Sequence, residues 1–400
     1  MQRFHVWVLT SLLAASQLAA VPTASAEEAT ANTTAPLAIR VQGNHLVDAV
    51  GKLLQLRGAN VSGLENTAIQ GWAKRPGGGY DNWADAKLGA EPDWSKLASW
   101  KMNVVRLPLN EASWLGYICT MADGSTRNAD PGGNYRATVK QSIAGANAAG
   151  LYVILDLHWS APQKICPQGQ APMADSDNSI AFWISVANTF KDNPAVMFEL
   201  FNEPFGQNMY PVAAGDWQVL RDGGSYFPFA HQNTSTGRVE TSNLSWQATG
   251  MQPMLNAVRS TGATNVVLAG TMGWCADLSQ WLAYRPIDPA GQLAAAWHAY
   301  PWGRDKSKPS WSGIGDQYQM AAAITAQMPL VISETGQSFS LAETLFSWAD
   351  HNPGVSYLAW TWNPWGPWDL IKDSSGTPTE FGSYYRAHLA CASDHSLPCP

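Results

Sequence analysis

VMFELFNEP, from Val196 to Pro204, is an apolar run that ends abruptly in Asn202-Glu203 and is then stopped by Pro204. Apolar residues in near-continuous sequence, without an alternating polar partner, read as a strand buried on both faces, as in a parallel sheet covered by helices. Seven further runs share the pattern: Leu53 to Ala59, Asn103 to Leu107, Leu151 to Leu157, Asn265 to Ala269, Leu293 to Trp297, Pro329 to Ser333 and Ser356 to Thr361. Between them, Thr138 to Ala149, Ser179 to Phe190, Trp246 to Ser260, Gln317 to Gln327 and Leu341 to His351 place apolar residues three and four apart, the spacing of an amphipathic helix. Strand and helix alternating about eight times predict an α/β chain folded as a single (β/α)8 TIM barrel. Ile39 to Val41 and His45 to Val47, joined through Gly43-Asn44, predict an N-terminal β-hairpin that closes its bottom. The long segments Ser62 to Asp93, Asn110 to Pro131, Ser160 to Asn178 and Phe205 to Ser245 all follow strands, which makes them βα loops at the C-terminal face where active sites gather.

The chain opens with Arg3 inside Met1 to His5, continues through apolar residues from Val6 to Ala20 and reaches Ala24-Ser25-Ala26, a signal-peptidase spacing. The expected division is a signal peptide over 1–26, a polar leader over 27–36, the barrel over 37–390 and a tail over 391–400. The expected location is outside the cell, or the periplasm of a host with an outer membrane, with no membrane association after cleavage. A net charge of -7 without a basic cluster argues against a nucleic-acid partner, and a monomer is expected. Twenty tryptophans exceed what a core demands and offer flat apolar platforms of the kind sugar rings stack on, although most are expected to pack internally. Five cysteines leave at least one unpaired. Cys391 with Cys399, and Cys119 with Cys166, are the candidate disulfides, and Cys275 is the odd thiol. With no CxxC and no HExxH, neither a metal nor a cofactor is expected.

Polar residues collect at the strand ends: Arg106 in NVVRLPL, His158 in VILDLHW, Asn202-Glu203, His298 and Tyr300 in AAAWHAYPW, Glu334 after PLVIS, and Trp360 with Trp362 in YLAWTWN. A lone Arg or His at such a place is more often a satisfied structural group, but agreement across six strand ends is a pattern. Two glutamates delivered by two buried strands suit glycoside hydrolysis, in which one carboxyl gives a proton to the leaving oxygen and the other attacks or stabilises an oxocarbenium-like centre. Asp156 and Glu199 are read as buried, hydrogen-bonded groups, and Asp48 as a hairpin residue. Trp83, Trp114, Trp159 and Trp302 are weaker candidates for remote sugar stacking, and Trp362 to Trp368 is either a substrate wall or a packed loop.

The set resembles glycoside hydrolase family 5, the cellulase-like group among retaining (β/α)8 hydrolases. Arg106, His158, Asn202, Glu203, His298, Tyr300, Glu334 and Trp360 match that family's pattern in order and strand placement, and the match runs from Leu53 to about Thr361. Ser333 and Thr335 depart from it, since a Gly and an aromatic residue often flank the second glutamate. The resemblance implies Glu203 as acid/base and Glu334 as nucleophile. It further implies Arg106 and Tyr300 as groups that hold Glu334 ionised, Asn202 on the sugar 2-hydroxyl, His158 and His298 on sugar hydroxyls or the carboxylates, and Trp360 as the subsite floor, with Trp362 beside it in the substrate-binding set. The implied activity is an endo-β-1,4-glucanase acting on polysaccharide or oligosaccharide. A β-mannanase, a β-1,3-glucanase, an endoglycosylceramidase or a disaccharide-releasing glycosidase stay open as alternatives. From another class, a non-catalytic carbohydrate-binding barrel is disfavoured, because a binding module has no reason to keep two adjacent carboxylates that repel.

Overall fold

The computed structural model describes residues 37–70, 91–206, 212–226, 229–233, 238–300, 312–336, 338–367, 369–394 and 399. The segments read as signal peptide and leader, together with Trp83 and Trp302, lie outside them. Eight strands, all paired in parallel, close a barrel in sequence order. They are β1 (Arg57–Asn60), β2 (Val104–Asn110), β3 (Tyr152–Trp159), β4 (Val196–Glu199), β5 (Val267–Ala269), β6 (Leu293–Ala299), β7 (Leu330–Thr335) and β8 (Val355–Ala359). Helices α1 (Trp94–Ser99), α2 (Tyr135–Ala148), α3 (Ser179–Phe190), α4 (Met251–Ser260), α5 (Ser312–Thr325), α6 (Phe339–Asp350) and α7 (Glu380–Ser393) are the main covering elements.

Side-chain alternation divides each strand between two environments. One set, including Val105, Leu107, Val153, Leu155, Phe198, Trp297 and Ile332, packs outward with apolar residues of the helices. The other set points inward, and its lower layer of Val104, Ile154, Met197, Leu268, Ala296, Val331 and Leu358 fills the barrel. Ile39 and Leu46 of the hairpin Ile39–Gln42/His45–Asp48 join this inner cluster, so the hairpin plugs the N-terminal end. Closure is tight at β1. A Cβ on Gly58 would sit 1.9 Å from the Val104 carbonyl oxygen, so only glycine lets β1 and β2 approach this closely.

The expected helix from Trp246 to Ser260 is shorter in the structure. Trp246–Ala248 pairs instead with Gly224–Tyr226, burying Trp246 and Ala248 on one side, and α4 begins only after Gly250. A Cβ at Gly250 would lie 2.4 Å from the Arg221 carbonyl oxygen, so the chain turns there under close backbone contact. Helices α1 and α7 were not anticipated. Asp93 caps α1 by accepting from Ser95 N and Lys96 N. Helix α7 buries Phe381, Tyr385 and Leu389 and runs past position 390, so the final residues begin as helix rather than as a separate tail. The long loops carry structure of their own, including the hairpin Ile118–Thr120/Thr126–Asn128. Disulfides join Cys119 to Cys166 and Cys391 to Cys399, while Cys275 is a buried free thiol.

Candidate active site

The inward alternation that fills the barrel bottom with aliphatics places Arg106, Asp156, Glu199, His298 and Ser333 in the layer above. Arg106 is therefore not at a strand end. It sits in the interior of β2, completely buried, and its guanidinium is the hub of the site. Nε meets Glu199 Oε2 at 2.6 Å, Nη1 meets Glu334 Oε1 at 2.6 Å and Asn60 Oδ1 at 2.9 Å, and Nη2 meets Asn202 Oδ1 at 2.7 Å and Asp156 Oδ2 at 3.0 Å. Desolvation penalises the guanidinium, but Asp156, Glu199 and Glu334 together outweigh it and keep it charged.

Glu334 reaches the hub because β7 is irregular. Strict alternation would send it outward with Ile332. The ladder skips at Ser333, so that Trp297 pairs with Ile332 but His298 pairs with Glu334. Such a bulge re-aims a side chain, and here Ser333 Oγ donates to Glu199 Oε1 at 2.8 Å while Glu334 turns into the cavity, 4% exposed. Tyr300 OH donates to Glu334 Oε2 at 3.0 Å. Burial first, then the nearby Glu334 and Glu203, push the Tyr300 phenol well above its ordinary range, so it stays a donor.

Glu203 lies four residues beyond the end of β4, its side chain 17% exposed, and its Oε1 receives His298 Nδ1 at 2.7 Å. The same nitrogen is 3.6 Å from Glu334 Oε2, and His298 Nε2 faces Glu199 Oε1 across 3.8 Å, a charge contact too long for a hydrogen bond. Burial lowers the His298 pKa, but Glu334, Glu199 and Glu203 reverse this and push it up to about 10. His298 is thus an imidazolium held among Glu334, Glu199 and Glu203. Buried completely, it orients them and has no access to a sugar hydroxyl. One oxygen each of Glu203 and Glu334 and a nitrogen of His298 lie within 4.8 Å of one another, a donor set of metal-ligand type.

The raised His298 pKa has a consequence for stability. Its ordinary value is 6.5 and its folded value about 10, so its contribution is complete below 6.5 and is lost as pH rises through about 10. The unfolding free energy should therefore fall between these limits, and His298→Gln should remove part of that slope. Identical slopes for the two proteins would show that His298 is not charged in the fold.

His158 Nδ1 meets Asp156 Oδ2 at 2.6 Å, and its ring stacks on Trp360 with centroids 5.8 Å apart. Desolvation lowers the His158 pKa and raises that of Asp156, against the pull of Arg106 and with Glu199 and Glu334 adding to the rise. Asn202 spends Oδ1 on Arg106 and one Nδ2 hydrogen on Gln170 Oε1 at 2.9 Å, leaving one hydrogen for a ligand.

Several aromatic expectations need correction. Trp362 is 2% exposed and packs edge-on against Trp100, so it supports the loop after β8 rather than touching a ligand. Trp114, 1% exposed, packs on Phe182 and Phe190, and Trp159, 5% exposed, belongs to the cluster around the Cys119–Cys166 disulfide. Neither can stack on a sugar. Asn60, Ser333 and Gln170 were absent from the expected site. Asn60 carries the signal of the other strand ends, since it is the polar residue directly after the first apolar run, Leu53 to Ala59. Gln170 carries no such signal, being one polar residue in a long loop.

A family model described as cellulase (glycosyl hydrolase family 5) matches residues 47–366. Endoglucanase A of Butyrivibrio fibrisolvens is 22% identical over 74% of this chain and 52% of that protein. Endoglucanase 5 of Pectobacterium carotovorum is 24% identical over 81% of this chain and 50% of that protein, so the chain spans about half the length of both relatives. Among solved structures, a beta-glucanase from Saccharophagus degradans in complex with cellotetraose aligns with a TM-score of 0.61 at 20% identity, covering 90% of this chain and 94% of that one. The catalytic domain of an endoglucanase from Thermobifida fusca aligns with a TM-score of 0.53 at 17% identity, covering 88% and 97%. The family match over most of the sequence agrees with the closed barrel and the carboxylate pair at its mouth, and the chain belongs to glycosyl hydrolase family 5.

Proposed function

We propose that the protein is a retaining endo-β-1,4-glucanase, with Glu203 as acid/base and Glu334 as nucleophile. The observation that carries this reading is the approach of the two carboxylates, with an oxygen of each within 4.8 Å of the other. A separation of about 5–5.5 Å belongs to double displacement, whereas inverting enzymes hold the groups about 6.5–9.5 Å apart to admit a water. In the first step the Glu334 carboxylate bonds to the anomeric carbon as the glycosidic C–O bond breaks, and the Glu203 proton passes to the departing oxygen. In the second step water gives a proton to Glu203 and attacks the same carbon, which releases Glu334. Arg106 and Tyr300 hold one oxygen each of Glu334. The remaining Asn202 hydrogen is placed to donate to the 2-hydroxyl, and Trp360, partly exposed and braced by His158, floors the subsite.

The endoglucanase relatives and the cellotetraose held by the Saccharophagus structure support a β-1,4-glucan substrate. Export is part of the proposal, supported by the pattern over residues 1–26 and by two disulfides, which suit an oxidising compartment. The test is hydrolysis of cellohexaose, lichenan, laminarin, mannan and xylan, with the anomer of the first product followed by NMR. Internal cleavage of cellohexaose to β-anomers is expected. An α-anomer first would end the retaining reading, and preference for mannan or laminarin would replace the substrate.

Glu203→Gln should lower kcat/KM on cellohexaose by about 10²–10⁴-fold yet leave that on dinitrophenyl β-cellobioside nearly unchanged, because dinitrophenolate departs without a proton. Glu199→Gln, which breaks the Arg106 hub, should depress both. Matching profiles for the two variants would reassign the acid.

A further inference from the structure

Gln170, 6% exposed in the loop between β3 and α3, touches Glu203 directly. Its Nε2 lies 3.0 Å from Glu203 Oε2, the oxygen that His298 does not occupy, and 3.4 Å from the Glu203 carbonyl oxygen. The direction of this contact is forced by the hub. Arg106 can only donate, so Asn202 must turn Oδ1 towards it and Nδ2 away. Asn202 Nδ2 then donates to Gln170 Oε1, which leaves Gln170 Nε2 facing Glu203. A guanidinium three groups away thereby fixes which end of the Gln170 amide meets the carboxyl.

The loop that carries Gln170 is held on several sides. Cys166 is bonded to Cys119, and Cys166 N donates to Thr120 O at 2.9 Å. Asn110 Nδ2 donates to Pro167 O at 3.0 Å, and Phe205 N donates to Pro172 O at 3.0 Å. The carboxamide is therefore presented from a fixed backbone.

Resting on the reading of Glu203 as acid/base, we infer that Gln170 is a positioning residue for that group, acting with His298 to fix both carboxyl oxygens. An amide N–H on Oε2 restrains rotation of the carboxyl and directs its proton to the position where the glycosidic oxygen departs. Through Nε2, Gln170 acts on the steps in which Glu203 moves a proton, while its Oε1, which accepts from Asn202, bears on both substrates alike. Gln170→Met, which keeps the volume and removes both polar atoms, should lower kcat/KM on cellohexaose roughly tenfold, a fraction of the full acid contribution. On dinitrophenyl β-cellobioside, whose departure needs no proton, kcat/KM should fall several-fold less, since acid catalysis is bypassed and only the loss of the Asn202 contact remains. Gln170→Ala repeats the comparison should the methionine fail to fold. Equal losses on both substrates, or no loss on cellohexaose, would overturn the inference. Glu203→Gln run beside it separates the two claims. If that variant shows the split and Gln170→Met does not, only the positioning role fails; if neither does, the acid assignment fails.

Discussion

Turnover by Glu334→Gln falls by a factor on the order of 10⁵ on every substrate, activated or not, because the loss of a nucleophile is not bypassed by a better leaving group. The amide oxygen still accepts from Arg106 and its NH2 can donate to a turned Tyr300 hydroxyl, so folding should survive and the loss should lie in kcat. The decisive companion is Glu334→Ala with added azide. The small anion enters where the carboxylate stood and attacks the anomeric carbon from the same side, so an α-glycosyl azide forms from a β-glycoside. Glu203→Ala under the same conditions should give the β-azide, since its empty space lies on the opposite face. Exchange of the two products would exchange the two assignments.

Arg106→Met should cost about 3–5 kcal/mol of stability, the range for stripping the partner from a buried charge. Asp156 and Glu199 would remain in the barrel without their cation, completely buried. The sign of the pH dependence should also change. In the native protein, desolvation works against the Glu199 carboxylate, but Arg106 and His298 prevail and hold its pKa at about 2, below the ordinary 4.5. Its stabilisation is present above 4.5 and is lost as pH falls towards 2. Without the guanidinium, burial dominates and raises such a group, so its stabilising state becomes the protonated one and stability falls as pH rises. Denaturant unfolding from pH 3 to 8 should thus show the variant closest to the native protein at the acid end. A constant difference across that range would mean that Arg106 acts through packing alone.

The barrel was legible because its strands are buried twice over, which removes the polar alternation and leaves apolar runs. The ends of those runs pointed to His158, Glu203, His298 and Glu334, but they hid how each gets there. Arg106 looked like a terminus because the charge interrupts hydrophobic residues, whereas β2 continues through Pro108 to Asn110. The β7 bulge has no residue signature, since Ser333-Glu334 reads equally well as a regular strand end. Gln170 was illegible for a different reason: its role depends on a contact between loops 33 positions apart, set by a disulfide and by backbone hydrogen bonds. Tryptophan was legible in bulk but not residue by residue: most pack internally as expected, with Trp100, Trp114, Trp183, Trp217, Trp281 and Trp297 among the largest fully buried side chains, whereas Trp114, Trp159 and Trp362, candidates for sugar contact, are buried too.

The seam between β1 and β8 has a consequence for the chain's synthesis. Arg57 to Ala59 pair with Tyr357 to Ala359, and the Gln55 side chain bonds the Val355 carbonyl oxygen across 300 positions. Tyr385 of α7 then ties its hydroxyl to the Gly58 carbonyl oxygen at 2.7 Å. A strand made early thus waits for its partner while 300 further positions are synthesised, a delay on the order of 15–60 s at about 5–20 residues per second. During that wait β1 presents an unpaired edge, which is a hazard in a crowded cell. A nascent chain of this design needs that edge shielded, by a chaperone or by its own early structure, to arrive unaggregated at the moment when β1 and β8 can meet.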